Sequence, residues 1–154
     1  MTLAGAPALA VDVSADAGRL PIARARVAEI ARAVLRSERV SRALLSIAFV
    51  TPRAIAAINR EHLGHRGSTD VITFALGRAG AGGAVVGDVY ICPEVARENA
   101  RRHGVAVREE IARLVVHGVL HVLGHEHPHG GDRLGSAMWR KQERLVARLA
   151  GGAT

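Results

Sequence analysis

Five of the eight histidines in this 154-residue chain fall in the short stretch from His117 to His129. The run reads His117-Gly118-Val119-Leu120-His121-Val122-Leu123-Gly124-His125-Glu126-His127. His117 and His121 are four residues apart, and on a helix that spacing stacks two imidazoles on one face within reach of one ion. Gly124 stands where a helix C-terminus wants a residue with positive φ, which lets the chain turn back. His127, six residues beyond His121, can then return to the same ion. Three imidazole ligands leave a fourth position open, as a catalytic zinc site requires. The chemistry expected of His117, His121 and His127 is that of one bound Zn2+: a water with its pKa lowered to about 7, and a Lewis acid for a phosphoryl or carbonyl oxygen.

The spacing H-x3-H-x2-G-x2-H is also the histidine frame of the metzincin proteases. Those enzymes carry their general-base glutamate directly after the first histidine. Here that position is Gly118, which has no side chain. The frame therefore argues for metal-assisted hydrolysis and against peptide hydrolysis by the usual route. His125 and His129 have no spacing logic of their own, and structural or incidental roles are expected of both. Glu126 reads either as an acceptor behind a ligand or as a solvated loop carboxylate.

These residues need a scaffold, and the hydrophobic pattern supplies one. Arg108 to Leu123 is the clearest helix, with Ile111, Leu114, Val115, Gly118, Val119 and Val122 along one face. A strand is expected at Leu9–Val13. A helical pattern opens at Pro21 and places Val27, Ile30, Ala31, Val34 and Leu35 on one face. Ala43 to Val50 alternates Leu45, Ile47 and Phe49 and reads as a half-buried strand. Thr51-Pro52 then provides an N-cap and a first-turn proline for a short helix ending at Gly64. Asp70 to Leu76 and Ala84 to Ile91 read as strands, joined by a patternless, glycine-rich loop over Gly77–Gly83. Pro93 opens a helix that ends at His103-Gly104, and Asp132 to Leu149 forms a last amphipathic helix. The order β-α-β-α-β-β-α-α-α predicts one α+β domain over 1–154, with a small mixed β-sheet packed against helices and a zincin-like metal site on a central helix.

Composition narrows the function. The chain is 49% apolar, which excludes a disordered protein. Aromatic residues are 3%, which disfavours a nucleic-acid surface built from stacked aromatic rings. One cysteine, Cys92, excludes a disulfide framework. No apolar run reaches the ~18 residues of a membrane helix. The short N-terminal apolar stretch lacks a basic region before it, so a secretion signal is not expected and a cytoplasmic location is the default. Twenty-one basic residues, all arginine except Lys141, stand against 14 acidic ones, a net +7. That balance suits an anionic, phosphate-bearing partner. A GC-rich genome produces the same arginine enrichment without any such partner.

The histidine run resembles the signature of the YbeY family of bacterial endoribonucleases, H-G-x-L-H-x-x-G-x-[DE]-H. Three further stretches agree in order. Ile58-Asn59 followed by Thr69-Asp70-Val71-Ile72-Thr73-Phe74 resembles the family's L-N … T-D-V-L-S-F. Gly87-Asp88-Val89 through Ile91 resembles its G-D-I-x-I, and Leu114, Val115 and Val116 resemble the approach to the first histidine. The likeness runs from about Ala43 to Leu149. It implies a single-strand-specific, zinc-dependent endoribonuclease acting in 16S ribosomal RNA 3′-end maturation and ribosome quality control. Its partners would be the single-stranded 16S precursor, the small ribosomal subunit and assembly factors, with no membrane. It implies His117, His121 and His127 as ligands of one Zn2+.

The chain departs from the family at three places. His125 stands where tyrosine is common, and Ala75 where proline usually follows Phe74. Leu63 occupies the position of an arginine thought to engage the phosphate, for which Arg60 or Arg66 is near enough in sequence to substitute. Asp70 is a candidate proton-handling or ligand-supporting group, or else an Asx contact at a strand start, and Asp88 has the same two readings. Asn59 reads as a capping or turn residue. Two rival functions stay open: a non-catalytic, metal-stabilised ribosome-assembly factor, and another zinc-dependent hydrolase.

Overall fold

The computed structural model describes residues 8–80, 82–126 and 136–150. In chain order these form β1 (Leu9–Ala15), α1 (Arg24–Ser37), β2 (Ala43–Phe49), α2 (Pro52–Ile58), a π-helical turn (Asn59–Leu63), β3 (Val71–Ala79), β4 (Ala84–Ile91), α3 (Pro93–His103), α4 (Val107–Val122) and α5 (Ala137–Ala150). This is the α+β architecture with a small mixed sheet that the pattern predicts.

The four strands lie in the order β1-β2-β4-β3. β1 pairs with β2 and β2 with β4 in parallel, while β3 runs antiparallel to β4. Parallel neighbours need a long crossover, and α1 provides the one between β1 and β2. In β2, Ala43, Leu45, Ile47 and Phe49 are buried and the residues between them are not. β4 alternates in the same way, with Val85, Gly87, Val89 and Ile91 buried. The same face of β2 and β4 is therefore apolar, as period-two side-chain alternation requires.

Helices cover that face. Val27, Ile30, Ala31, Val34 and Leu35 of α1 share one core with Ile111, Val115, Val119 and Leu120 of α4 and with Met138, Leu145 and Val146 of α5. A smaller cluster of Val50, Ile55, Ile72 and Cys92 forms around α2, with Ala48, Phe74 and Tyr90 packed on it. α4 is the central element, touching α1, α3, α5, β3 and β4. No helix among the described residues is long and apolar enough to cross a membrane.

Several boundaries differ from the expected ones. β3 continues through Gly77 to Ala79, where the sequence predicts a loop. A register shift between Ala75 and Arg78 absorbs the extra residues. This end of the hairpin is exposed on both faces, so it carries no alternation to read. β1 extends to Ala15, and α1 begins at Arg24 and not at Pro21. The helix opened by Thr51, whose side chain accepts from the Ala54 amide, passes into the π-helical turn before left-handed Gly64 closes it. The expected helix start at Asp132 lies outside the described residues, as do His127 and His129.

Candidate functional site

α4 carries His117 and His121 with their ring centroids 4.5 Å apart, edge to face. The i, i+4 spacing thus does what the sequence predicts and puts the two imidazoles side by side. After Val122 the helix closes through a His125 amide to Leu120 carbonyl bond and through Gly124, whose φ is +99°. That left-handed turn reverses the chain at small steric cost only for glycine. His127, the third expected ligand, lies outside the described residues. Among the described residues no third histidine, cysteine, aspartate or glutamate completes a ligand group.

Gly118 has a packing reason. A Cβ at this position would stand 2.7 Å and 3.2 Å from the two γ-carbons of Val89 and 3.4 Å from the Thr73 methyl. The residue after His117 faces the sheet, not the histidines. A glutamate there, as in the proteases, would be driven into β3 and β4. The missing base is thus dictated by how closely the helix lies on the strands.

A residue not singled out from the sequence fixes His117. Its Nδ1 lies 2.8 Å from Oε1 of Gln142 on α5. The Nε2 amide of Gln142 donates to Glu143 at 3.1 Å. Glu143 is gripped by Arg113, from Nε at 2.9 Å and Nη2 at 3.0 Å. A carboxylate only accepts, so the amide nitrogen faces Glu143 and the amide oxygen faces His117. His117 then donates from Nδ1 and keeps its Nε2 lone pair. That tautomer is the one a metal ligand needs, and an acceptor behind the ring is its usual support. Imidazole donors suit zinc by type. Gln142 is only 2% exposed, although it occupies a core position of an amphipathic helix between Met138 and Leu145. A glutamine on the apolar stripe of α5 was the signal that could have revealed it.

Arg113 also bonds Glu110 at 3.1 Å and Glu109 at 3.2 Å, so one guanidinium holds three carboxylates. Burial tends to raise the Glu143 pKa, but the hydrogen bonds from Arg113 and Gln142 outweigh it and hold the carboxyl below its ordinary range. For Glu110 burial prevails, and its pKa is raised despite Arg113. A second support ties the turn after α4 to the helices. His125 Nε2 lies 2.6 Å from Glu38, which also accepts from Lys141 at 2.8 Å. His125 therefore has a structural partner, one of the roles expected of it.

A cleft of about 910 Å³ opens beside His117, and its wall includes Asp70, Asn99, Arg102, Arg113, Trp139 and Gln142. Asp70 accepts from Nδ2 of Asn99 at 3.1 Å and contacts the Thr69 hydroxyl at 3.4 Å. It thus shares a cleft with His117 while making the local contacts of a strand start. Asp88 is not brought there; it lines a separate hollow with Asp12, Arg32 and Leu44. Asn59 is buried and donates to the Gly67 carbonyl at 3.1 Å, a turn-holding role. Leu63 is 46% exposed, and Arg60 and Arg66 are exposed as well. None of these three lines the cleft; the arginines that do are Arg102 and Arg113.

The fold and this site define a class: small α+β domains with a histidine pair on a central helix laid against a mixed sheet. Residues 13–150 match the family model described as Endoribonuclease YbeY, and the chain belongs to that family. A protein from Thermobifida fusca named Endoribonuclease YbeY is 36% identical over 147 residues, covering 90% of this chain and 93% of that protein. One of the same name from Beutenbergia cavernae is 40% identical over 136 residues, 83% of this chain and 89% of its own. The solution structure of a Thermotoga maritima protein superposes with a TM-score of 0.61, covering 92% of this chain and 89% of that one at 24% identity. That last likeness bears on the fold alone.

Proposed function

We propose that this protein is a zinc-dependent endoribonuclease that hydrolyses single-stranded RNA, working in the cytoplasm on the 3′ end of the 16S ribosomal RNA precursor and in ribosome quality control. Family membership supports the ribonuclease reading. The observation that carries the metal reading is the Gln142–His117 hydrogen bond beside His121, which fixes the Nδ1–H tautomer of a histidine that lines a cleft. In this reading His117, His121 and His127 hold one zinc ion. A zinc ion held there supplies a nucleophile at neutral pH and Lewis acidity toward a phosphoryl oxygen. The chain's own part is to orient. Gln142 sets the His117 tautomer, Glu143 and Arg113 set Gln142, and Asp70, beside the cleft, accepts or relays a proton. The small ribosomal subunit and its assembly factors are the proposed partners.

The test is cleavage of single-stranded RNA by purified protein with and without a chelator, combined with elemental analysis. One zinc per chain and chelator-sensitive cleavage are expected. His121→Ala, shown folded by circular dichroism, is expected to lose the ion and nearly all cleavage while retaining most RNA affinity, because phosphate contacts come from arginines. Protein purified without chelators that holds no transition metal, or a folded His121→Ala that cuts at the parental rate, would overturn the reading. The second outcome would leave a non-catalytic assembly factor.

A further inference from the structure

The cleft beside His117 contains two features that holding an ion does not require. The first is Trp139, the sole tryptophan of the chain. It is half-buried and lines the cleft. It takes part in none of the ring pairs among the described residues. It also precedes Gln142 by three residues on α5, so the two side chains leave the same side of the helix. An indole therefore stands one helical turn from the group that orients His117.

The second feature is Arg102, exposed near the end of α3 and on the wall of the same cleft. Its guanidinium donates to Oδ1 of Asn99, a neutral amide, which in turn donates to Asp70. Among the described residues no carboxylate pairs with Arg102 directly. Arg113 differs, because its charge is taken up by Glu109, Glu110 and Glu143. Asp70 directs its oxygens at Asn99 and Thr69. Arg102 is thus the cleft's cation that is positioned by a neutral group and keeps its charge available.

We propose that this cleft seats one nucleotide of a single RNA strand, with its base stacked on the Trp139 indole and a neighbouring phosphate held by Arg102. The proposal rests on the ribonuclease reading above and extends it to the side chains that grip the strand. Aromatic stacking accepts any base through its π-face. A base inside a duplex is already stacked on both sides, so an indole in a cleft favours a strand with a free base. A planar guanidinium matches phosphate with two parallel bonds. A cleft of about 910 Å³ falls in the usual ~300–1,000 Å³ range of ligand sites.

The single tryptophan makes the test direct. Zinc-loaded full-length protein is titrated with a 2′-O-methyl single-stranded oligonucleotide, which resists cleavage, while the anisotropy of a label on the strand and the Trp139 emission are recorded together. Saturable change in emission with the same midpoint as the anisotropy is expected. Trp139→Ala should weaken binding about 5- to 100-fold, with Trp139→Phe restoring most of it. Arg102→Gln should reduce the slope of log affinity against log salt by about 0.7, and Arg102→Lys should restore it. Should Trp139→Ala fail to fold, the parental emission titration and the Phe variant still decide. Binding seen by anisotropy with unchanged Trp139 emission overturns the proposal and leaves the ribonuclease reading standing. A parent that neither binds nor cuts RNA overturns both.

Discussion

Gln142 accepts the Nδ1 proton of His117 at 2.8 Å, joining α5 to the histidine-bearing face of α4 through one buried amide. The amide cannot turn over without setting its oxygen against the Glu143 carboxylate. His117 is therefore oriented by a chain of groups that ends at Arg113, and the state of that chain governs the site.

Gln142→Leu keeps the volume and removes the acceptor. Zinc affinity, measured by competition against a chromogenic chelator, should fall about 10- to 100-fold, the usual effect of losing a group that orients a ligand. The double variant Gln142→Glu/Glu143→Gln retains an acceptor for His117 without setting two carboxylates against each other, and should lose less. Equal affinity in parent and Leu variant would show that the hydrogen bond does not tune the ion.

Gly118→Ala should destabilise the fold by about 1–3 kcal/mol, an overpacking cost, because its Cβ enters the space of the Val89 methyls. Combining it with Val89→Ala should recover part of the loss. Gly118→Glu should unfold the protein or leave it without peptidase activity. Thermal denaturation of the single and double variants checks the coupling.

Arg113→Met removes the cation shared by Glu109, Glu110 and Glu143. Glu110 is 4% exposed and loses its hydrogen-bonded ion-pair partner. The expected loss is somewhat below the ~3–5 kcal/mol of a fully buried broken pair, since Arg113 keeps some contact with water. Adding Glu110→Gln should return part of it. Urea midpoints measure both variants.

Acid should weaken the chelator-treated protein through Glu38 and Glu143. Burial alone would raise the pKa of each. Lys141 and His125 at Glu38, and Arg113 and Gln142 at Glu143, prevail and leave both lowered in the folded chain. A depressed carboxyl contributes stability above its unfolded value, 4.5, and loses it as pH falls through the folded value. Glu110, raised by burial, acts in the opposite sense, its cost disappearing as it protonates. The urea midpoint should therefore hold from pH 7 to about 5 and fall below that. Glu38→Gln should flatten the fall; an unchanged profile would remove Glu38 from the account.

The sequence by itself determined the scaffold and the histidine pair. Period-two burial in β2 and β4 and period-three-to-four burial in α1 and α4 are properties of neighbouring residues, so Ile47, Val89, Val115 and Val119 declared their faces locally. The pairing of His117 with His121 follows from helical pitch alone, and the turn at Gly124 from its freedom at positive φ. The hairpin end from Gly77 to Ala79 stayed hidden because two exposed faces leave no alternation. Only the tertiary structure decided what surrounds the histidines. Gln142 is 25 residues from His117, Arg102 sits on a different helix from Trp139, and Asp70 joins the cleft while Asp88 does not. These relations arise where α3, α4, α5 and the start of β3 converge. Packing between elements sets that convergence, and no spacing along the chain encodes it.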